Sequence, residues 1–468
     1  MLGEDVLFLP VSELSQRIHA KKLSPVELAE SYLERSRKLA PKLNAYATLT
    51  PDLALAQARA AEKEIAAGKY RGPLHGIPYA AKDLLAVKGH PTTWGARPYG
   101  DQHFDYDATV IRKLNAAGAV LLGKAAMIEL AGGMGYRYAS ASATGAAKNP
   151  WNTDYWTCGS SSGSGAIMAA GLAAFALGTE TWGSIICPSG FCGISGLRPT
   201  FGRVSRYGAM ALSYSMDKIG PMCRTAQDCD TVLQIISGHD PEDAGSLPAP
   251  AAKYAGAPAA GRIRMGWMTN AWKEIAPDVN APVTAARKTL AAGPSVSMKD
   301  VALPEGPWES AAGAVIAVEG ATAFRALIQS GKVAELSDPL GHIGGYINEE
   351  ISASDFMLAQ RIRGILSQKV DELFTHNQVD VLVAASLPVT ASKLDANLDT
   401  ALSFADPAGG IGNICGLPAI SVPCGFGEHG LPVGLQFIGR VLDDARVVQA
   451  ARLFQSRTDW HTKRPVLS

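Results

Sequence analysis

The order of helical and strand patterns along this sequence restricts the fold more than any other feature. Ser24 and Pro25 have the residue types of an N-cap and a first helical turn, and an apolar helical stripe follows them. Residues 109–118 predict a second helix, and the apolar run from Ala119 to Leu122 predicts a buried strand. Another helix is expected from about Ala125. Strands that alternate with helices in this way predict an α/β sheet with helices on its faces.

The C-terminal half continues the alternation. Ser352 and Asp355 form a capping-box pattern at the start of a long helix, and residues 379–385 predict a buried strand. Residues 418–424 and 433–438 predict two further strands joined by a turn at 428–430. Residues 245–261 are rich in Gly, Pro and Ala and predict a flexible connection instead.

The charge balance argues against nucleic-acid and membrane partners. Lys and Arg together number 43, as do Asp and Glu, so the formal net charge is zero. Nucleic-acid-binding proteins usually carry a basic excess or a basic stripe, and this sequence has no polybasic segment for an anionic lipid surface. The longest apolar run, from Ala166 to Leu177, is too short to span a bilayer. With 47% apolar residues, the chain can bury a large core.

The seven cysteines argue against a disulfide framework and for a reducing compartment, because their number is odd and the chain is long. Their spacings do not include C-x-x-C, so no metal site is expected. The N-terminal segment MLGEDVLFLPVSELSQ contains acidic residues and lacks the basic start of a secretory signal. These features together predict a cytoplasmic protein.

Two clusters of glycine and serine, at residues 159–165 and 182–184, are the first candidates for a functional site. Glycine allows backbone N–H groups to approach a ligand closely, and serine offers a nucleophile. One such cluster alone could equally be a flexible loop. The first cluster lacks the Gly-Lys-Ser/Thr ending of a P-loop and the third glycine of a dinucleotide-binding fingerprint.

Residues 159–163 also match the G-x-S-x-G pattern of an α/β-hydrolase nucleophile elbow, which would make Ser161 the nucleophile. That motif requires a strand directly before it, whereas residues 149–154 have the composition of a turn. It also requires a histidine, and the candidates His376, His429 and His461 lie in undistinctive contexts. The elbow is therefore retained as an alternative mechanism.

Several blocks, in order along nearly the whole chain, resemble the amidase signature family. They are GPLHGIPYAAKD at 72–83, CGSSSGS at 158–164, GTETWGSIICP at 178–188, CGISGLRPT at 192–200, FGRVSRYG at 201–208, SMDKIGP at 215–221, GLPAISVPCG at 416–425 and GLPVGLQFIG at 430–439. The resemblance is weakest between about 240 and 350. It implies a single large α/β/α domain over residues 1–468, with a mixed central β-sheet covered by helices and a variable, substrate-shaping segment at about 240–350.

Carried over to this sequence, the resemblance implies that Ser184 is an acyl-forming nucleophile and that Lys82 is the general base. Ser160, where the family has a serine preceded by a cis peptide, would relay the proton between them. A serine hydroxyl needs such a base, and a lysine can act as one only when burial or a cationic neighbour lowers its pKa. The apolar residues around Lys82 predict burial.

The backbone N–H groups of four residues would form the oxyanion hole, namely Thr181, Trp182, Gly183 and Ser184. Three positions depart from the family pattern. Cys158 and Trp182 each replace a glycine, and Ile186 replaces an arginine. A more apolar pocket is expected from the last two changes.

The predicted function is hydrolysis of a C–N bond in an amide, with an aryl or alkyl amide, ester or carbamate as the small-molecule substrate. The alternative is a glutamine-amidase component of a tRNA-dependent amidotransferase, similar to the A subunit of such enzymes. A catalytically silent scaffold is a third hypothesis. Neither a cofactor nor a metal is expected. A homodimeric assembly is left open.

Overall fold

A computed structural model describes residues 2–257 and 261–467 of the 468-residue chain. The α-helices are α1 Glu4–Leu7, α2 Val11–His19, α3 Pro25–Leu43, α4 Pro51–Ala66, α5 Thr109–Ala116, α6 Ser162–Ala169, α7 Ile186–Cys192, α8 Ala226–Ile236, α9 Pro277–Ala291, α10 Trp308–Ala323, α11 Arg325–Gln329, α12 Gly341–Glu349, α13 Ala353–Asn377, α14 Leu398–Ala401, α15 Pro407–Ile414 and α16 Asp444–Gln455. The strands are β1 Tyr46–Leu49, β2 Pro78–Lys82, β3 Val120–Ala125, β4 Lys148–Asn149, β5 Asn152–Trp156, β6 Phe175–Glu180, β7 Ser195–Arg198, β8 Lys218–Cys223, β9 Ile263–Met268, β10 Val296–Val301, β11 Val381–Ala385, β12 Ala419–Phe426 and β13 Pro432–Gly439.

Eleven of these strands form one sheet, in the order β1-β3-β2-β6-β8-β7-β12-β13-β11-β9-β10. The pairs β2–β3, β2–β6, β9–β10 and β9–β11 are parallel and the other neighbours are antiparallel, so the sheet is mixed. Every residue of β2, β3, β6, β8 and β13 is buried. Strands buried along their whole length require cover on both faces. Helices α4, α8, α9 and α16 are among those that pack on the sheet, which confirms the predicted α/β class with a mixed central sheet.

A second group of helices lies beside the sheet. Helix α10 packs against α12, α13 and α15. Helices α10, α13 and α15 share an apolar cluster with Ile186 and Met216. This cluster brings part of the sequence between 308 and 414 next to the segment that follows β6, where the candidate nucleophile lies.

Several local predictions are confirmed. The Ser24 hydroxyl accepts hydrogen bonds from the N–H groups of Val26 and Glu27 at the start of α3, at 3.1 Å each. The Ser352 hydroxyl accepts from the N–H of Asp355 at 3.1 Å and caps α13. Strands β11, β12 and β13 lie within two residues of the starts predicted from the C-terminal half of the sequence.

Three local predictions are wrong. Residues 149–154 contribute to the β4–β5 hairpin rather than to a simple turn. Ala125 ends a strand, and only a short 3-10 segment at Glu129–Gly132 follows it. The connection at 245–261 is held in place where it is described. The N–H of Leu247 donates to the Gly202 carbonyl at 2.8 Å, and Arg203 donates to the carbonyls of Ala251 and Lys253. Residues 258–260 of that prediction lie outside the described residues.

Within the described ranges, no helix combines the length and the apolar character needed to cross a bilayer. The same residues contain no group of three or more His, Cys, Asp or Glu side chains arranged to hold a metal ion.

Candidate active site

The site lies where two neighbouring parallel strands end. Strands β2 and β6 pair in register from Tyr79 with Phe175 to Ala81 with Leu177. Their carboxyl ends therefore meet at one edge of the sheet, the usual place for a site in an α/β protein. Lys82 is the last residue of β2, and residues 181–184 follow β6 directly.

Lys82 is completely buried, as its apolar neighbours predict. Its Nζ donates a hydrogen bond to Ser160 Oγ at 2.7 Å and another to Thr179 Oγ1 at 2.9 Å. Burial lowers the pKa of Lys82 from 10.5 to about 7, although the carboxylates of Asp217 and Glu180 act in the opposite direction. A lysine with such a pKa has a large neutral fraction near pH 7, so its amine can accept a proton.

Ser160 lies between β5 and α6 and is 2% exposed. The Gly159–Ser160 peptide bond is cis, and the Ser160 carbonyl accepts from the N–H of Ile128 at 3.1 Å. The neighbouring Ser161 hydroxyl is engaged by the backbone of Thr179. It donates to the Thr179 carbonyl at 3.1 Å and accepts from the Thr179 N–H at 3.2 Å. A strand does precede the G-x-S-x-G pattern, but these contacts favour a structural role for Ser161.

Ser184 stands at the end of the loop between β6 and α7 and is 8% exposed. Gly183 before it has φ of +78°, a left-handed conformation that favours glycine. The Ser184 carbonyl accepts from the Ser161 N–H at 3.3 Å, which joins the two serine-containing segments. Sequence-predicted residues Lys82, Ser160 and Ser184 are thus brought to the same strand edge.

Glu180 fixes the backbone after Ser184. Its Oε2 accepts from the N–H groups of Ile185 at 2.8 Å and Ile186 at 2.9 Å, while its Oε1 accepts from Arg198 at 2.7 Å. Both charged side chains are buried. Burial alone would raise the pKa of Glu180, but Arg198 and Lys218 outweigh it and hold that pKa at about 2. An ionised Glu180 can therefore hold the start of α7 in one position.

Thr181, the first residue of the predicted oxyanion hole, is held by two further charged residues. Its hydroxyl donates to Asp217 Oδ1 at 2.5 Å. Lys218 Nζ donates to Asn413 Oδ1 at 2.9 Å and lies 3.4 Å from the Thr181 carbonyl oxygen. Burial, together with nearby Arg198, lowers the pKa of Lys218 to about 7 against the opposing effect of Glu180 and Asp217.

Sequence reasoning missed Lys218, Asp217 and Glu180. All three lie inside the blocks that carry the family resemblance, but the type of each residue does not reveal its contacts. Lys218, for example, meets Asn413 across 195 residues of sequence. Such pairs become visible only when the strand order is known.

The Trp182 side chain is anchored by a hydrogen bond. Its indole Nε1 donates to Asp406 Oδ2 at 2.8 Å. The other oxygen of Asp406 accepts from the Gly409 N–H at 2.8 Å. Burial raises the pKa of Asp406 to about 7, against these hydrogen bonds. Ile186 is 4% exposed and lies in the apolar cluster against which Trp182 packs. Both side chains therefore contribute to an apolar cluster beside the nucleophile loop.

Cys158 and Cys187 form a disulfide, with their Cα atoms 5.8 Å apart. This corrects the expectation from the cysteine count, because an odd total still allows one pair once the fold brings two thiols together. Five cysteines are free in the described residues. The bond joins the residue two positions before Ser160 to the residue three positions after Ser184, so it ties the two candidate catalytic segments together.

Replacing both Cys158 and Cys187 by alanine is expected to lower the free energy of unfolding by about 3–4 kcal/mol, because the disulfide closes a long loop in the unfolded chain. Urea denaturation of the double variant against the parent protein measures this difference. Cys415→Ala, at a free and partly exposed thiol, is the control. A double variant as stable as Cys415→Ala would show that the disulfide does not brace the fold.

Lys82 and Ser160 thus form a buried, hydrogen-bonded pair at the ends of parallel strands in an α/β protein. A lysine and serines in this arrangement can exchange a proton. The profile of the Amidase family matches residues 27–448, so this chain belongs to that family and is an enzyme acting on C–N bonds. This membership confirms the resemblance seen in the sequence blocks.

Proteins similar to this chain include amidotransferase subunits and amidases. The A subunit of glutamyl-tRNA(Gln) amidotransferase from Chloroflexus aggregans is 36% identical over 98% of this chain and 99% of its own length. The peptide amidase of Stenotrophomonas maltophilia superposes with a TM-score of 0.85 at 29% identity, covering 96% of each chain. The corresponding amidotransferase chain of Thermotoga maritima superposes with a TM-score of 0.79 at 28% identity, covering 97% of this chain and 96% of the other.

Proposed function

We propose that this protein hydrolyses the C–N bond of an amide through an acyl-enzyme on Ser184, with Ser160 as proton relay and Lys82 as general base. The observation that carries the proposal is the hydrogen bond of 2.7 Å between Lys82 Nζ and Ser160 Oγ in a buried site. Burial lowers the pKa of this lysine to about 7, which suits a base working near neutral pH.

In the first half of the reaction, neutral Lys82 takes the proton of Ser160 while Ser160 takes the proton of Ser184. The Ser184 oxygen attacks the carbonyl carbon, and the backbone N–H groups of residues 181–184 stabilise the resulting oxyanion. The C–N bond then breaks as the proton returns through Ser160 to the leaving nitrogen. Water attacks the acyl-enzyme by the same route and releases the carboxylic acid.

The proposed substrate is a neutral aryl or alkyl amide, with esters and carbamates as related substrates. The apolar surroundings of Ile186 and Trp182 support this choice. Asp406 lies beside this apolar cluster, and its two oxygens accept hydrogen bonds from the Trp182 indole and the Gly409 N–H.

A second candidate function is that of the glutamine-hydrolysing component of a tRNA-dependent amidotransferase. The full-length similarity to proteins named as the A subunit of such an enzyme favours it, and supports it more directly than it supports a stand-alone hydrolase. In that case the chain would work with partner proteins, and the acyl-enzyme chemistry at Ser184 would be the same.

Release of ammonia from glutamine, compared with hydrolysis of neutral nitroanilides by the purified chain, separates the two candidates. A stand-alone hydrolase should turn over the nitroanilides and show little or no turnover of glutamine. Glutamine turnover that equals or exceeds nitroanilide turnover would move the assignment to the amidotransferase component.

The remaining proposals concern the rest of the chain. The segment of about 240–350, within one domain over 1–468, is proposed to shape the substrate pocket. Support comes from Glu309 of α10, which accepts a hydrogen bond from the Asp406 N–H beside Trp182. A cytoplasmic location stays a prediction, from which the Cys158–Cys187 disulfide removes the argument based on the cysteine count. The proposed substrate is a small molecule, and no cofactor is proposed.

Replacing Trp182 by glycine is expected to change the ratio of kcat/KM for bulky over small amides by about tenfold or more while activity persists. The backbone N–H donors remain, whereas the indole and its bond to Asp406 are lost. Trp182→Phe keeps a ring without the N–H and serves as the matched control. An unchanged ratio in Trp182→Gly would mean that the indole has no part in specificity.

A further inference from the structure

A cavity of about 310 Å³ opens beside the catalytic edge of the sheet, between the loop at 206–214 and the strands β6 and β8. It reaches Thr179, whose hydroxyl accepts the hydrogen bond from Lys82 at 2.9 Å, and Thr181, at the start of the oxyanion loop. The cavity therefore shares a wall with the Lys82–Ser160–Ser184 site.

The charged side chains in its wall already have partners. Arg206 donates to both oxygens of Asp243, with its Nη2 at 2.9 Å from Oδ1 and its Nε at 3.2 Å from Oδ2. At the rim, Glu242 pairs with Arg112. The Asp243 carboxyl has its pKa held below the usual value, because the Arg206 hydrogen bonds outweigh the effect of burial.

The two charges deeper in the wall are engaged as well. Asp217 accepts from the hydroxyl of Thr181 at 2.5 Å and from the N–H groups of Leu212 at 2.8 Å and Ser213 at 3.0 Å. Lys218 donates to the Asn413 side chain at 2.9 Å. These hydrogen bonds hold both charged groups against the protein at the inner end of the cavity wall.

Apolar groups make up most of the remaining wall. They come from Leu84, Ala131, Ala209, Met210, Leu212 and Ile219. A cavity of roughly 150 Å³ lined by such side chains is large enough for benzene. The volume here is about twice that and holds a substituted ring or a short alkyl chain.

We infer that this cavity binds an uncharged aryl or alkyl group attached to the scissile amide, and that the 206–214 loop sets the substrate class. The inference rests on the proposed function and deepens it. Free glutamine is disfavoured as a ligand, because its ammonium and carboxylate would lose water against a wall that is mostly apolar.

Ala211 gives a direct test, since it lines the cavity and is itself exposed, so that a larger side chain there need not disturb the core. Ala211→Phe fills the cavity mouth. Ala67→Phe, at an exposed alanine after α4, is the matched control. Both changes are made in a Ser184→Ala background, so that binding is measured without turnover.

Calorimetric titration measures the Kd of acetanilide and of 4-phenylbutanamide. These two amides carry the ring on opposite sides of the amide group. For the tighter of the two, Ala211→Phe should raise Kd at least about tenfold and Ala67→Phe should leave it unchanged. Glutamine should not bind detectably. An unchanged Kd in Ala211→Phe, or glutamine binding as tight as that of the neutral amides, would overturn the inference. Absence of turnover by the parent protein is a separate result, which would count against the proposed function alone.

Discussion

Ser184→Ala is expected to lower kcat for amide hydrolysis by about 10⁴-fold or more, because the proposed acyl-enzyme cannot form without its hydroxyl. It also abolishes covalent labelling by a fluorophosphonate, a reagent that reacts with activated serines. Mass spectrometry of the labelled parent protein should place the adduct on the peptide that contains Ser184.

Ser161 provides the comparison for this experiment, because it is the nucleophile in the alternative elbow mechanism. Its hydroxyl already bonds the carbonyl and the N–H of Thr179, so it is expected to carry no adduct. Labelling on Ser161 that persists in Ser184→Ala would replace the proposed mechanism with the elbow.

Lys82→Met is expected to lower kcat/KM by about 10²- to 10⁴-fold, the usual contribution of a general base. Methionine keeps much of the buried volume while removing the amine that contacts Ser160 and Thr179. Steady-state kinetics on a nitroanilide measures the loss, and circular dichroism checks that the variant is folded.

The controls for Lys82→Met are the histidines that the elbow would require. His376→Ala, His429→Ala and His461→Ala should each retain activity within a few-fold of the parent. Loss of activity in one of them together with near-normal activity in Lys82→Met would refute the lysine base.

Local pattern accounts for much of the framework. The apolar runs at 119–122, 379–385 and 433–438 overlap β3, β11 and β13, since a strand buried on both faces must be almost wholly apolar. The caps at Ser24 and Ser352 depend on contacts within three residues, so the sequence shows them directly. The burial of Lys82 follows in the same way from its apolar neighbours.

Features that depend on distant contacts were not predictable. The β4–β5 hairpin looks like a turn because Asn149, Pro150, Asn152 and Asp154 are turn-forming residues, yet β5 is also held by the loop at 392–394. The bond from Trp182 to Asp406 spans 224 residues, and the 158–187 disulfide depends on the placement of α7. The sequence therefore predicts the candidate catalytic segments, whereas the charged residues that contact them, such as Glu180 and Lys218, are identified only from the fold.

Lys218 is a second buried lysine, besides Lys82, that could titrate near neutral pH in this site. Burial lowers its pKa to about 7, the same region as that of Lys82, so either lysine could produce an ionisation in the pH profile. Histidine is therefore not the main rival for that ionisation.

The pH dependence of kcat/KM in the parent protein and in Lys218→Met tests the central claim most directly. A base must be deprotonated to act, so kcat/KM should rise about tenfold per pH unit below a pKa of about 7 and level off above it. The account predicts that Lys218→Met keeps this rise, even if its midpoint moves, because Lys82 is still present. A profile that becomes flat in Lys218→Met, with activity retained, would contradict the assignment of Lys82 as the base.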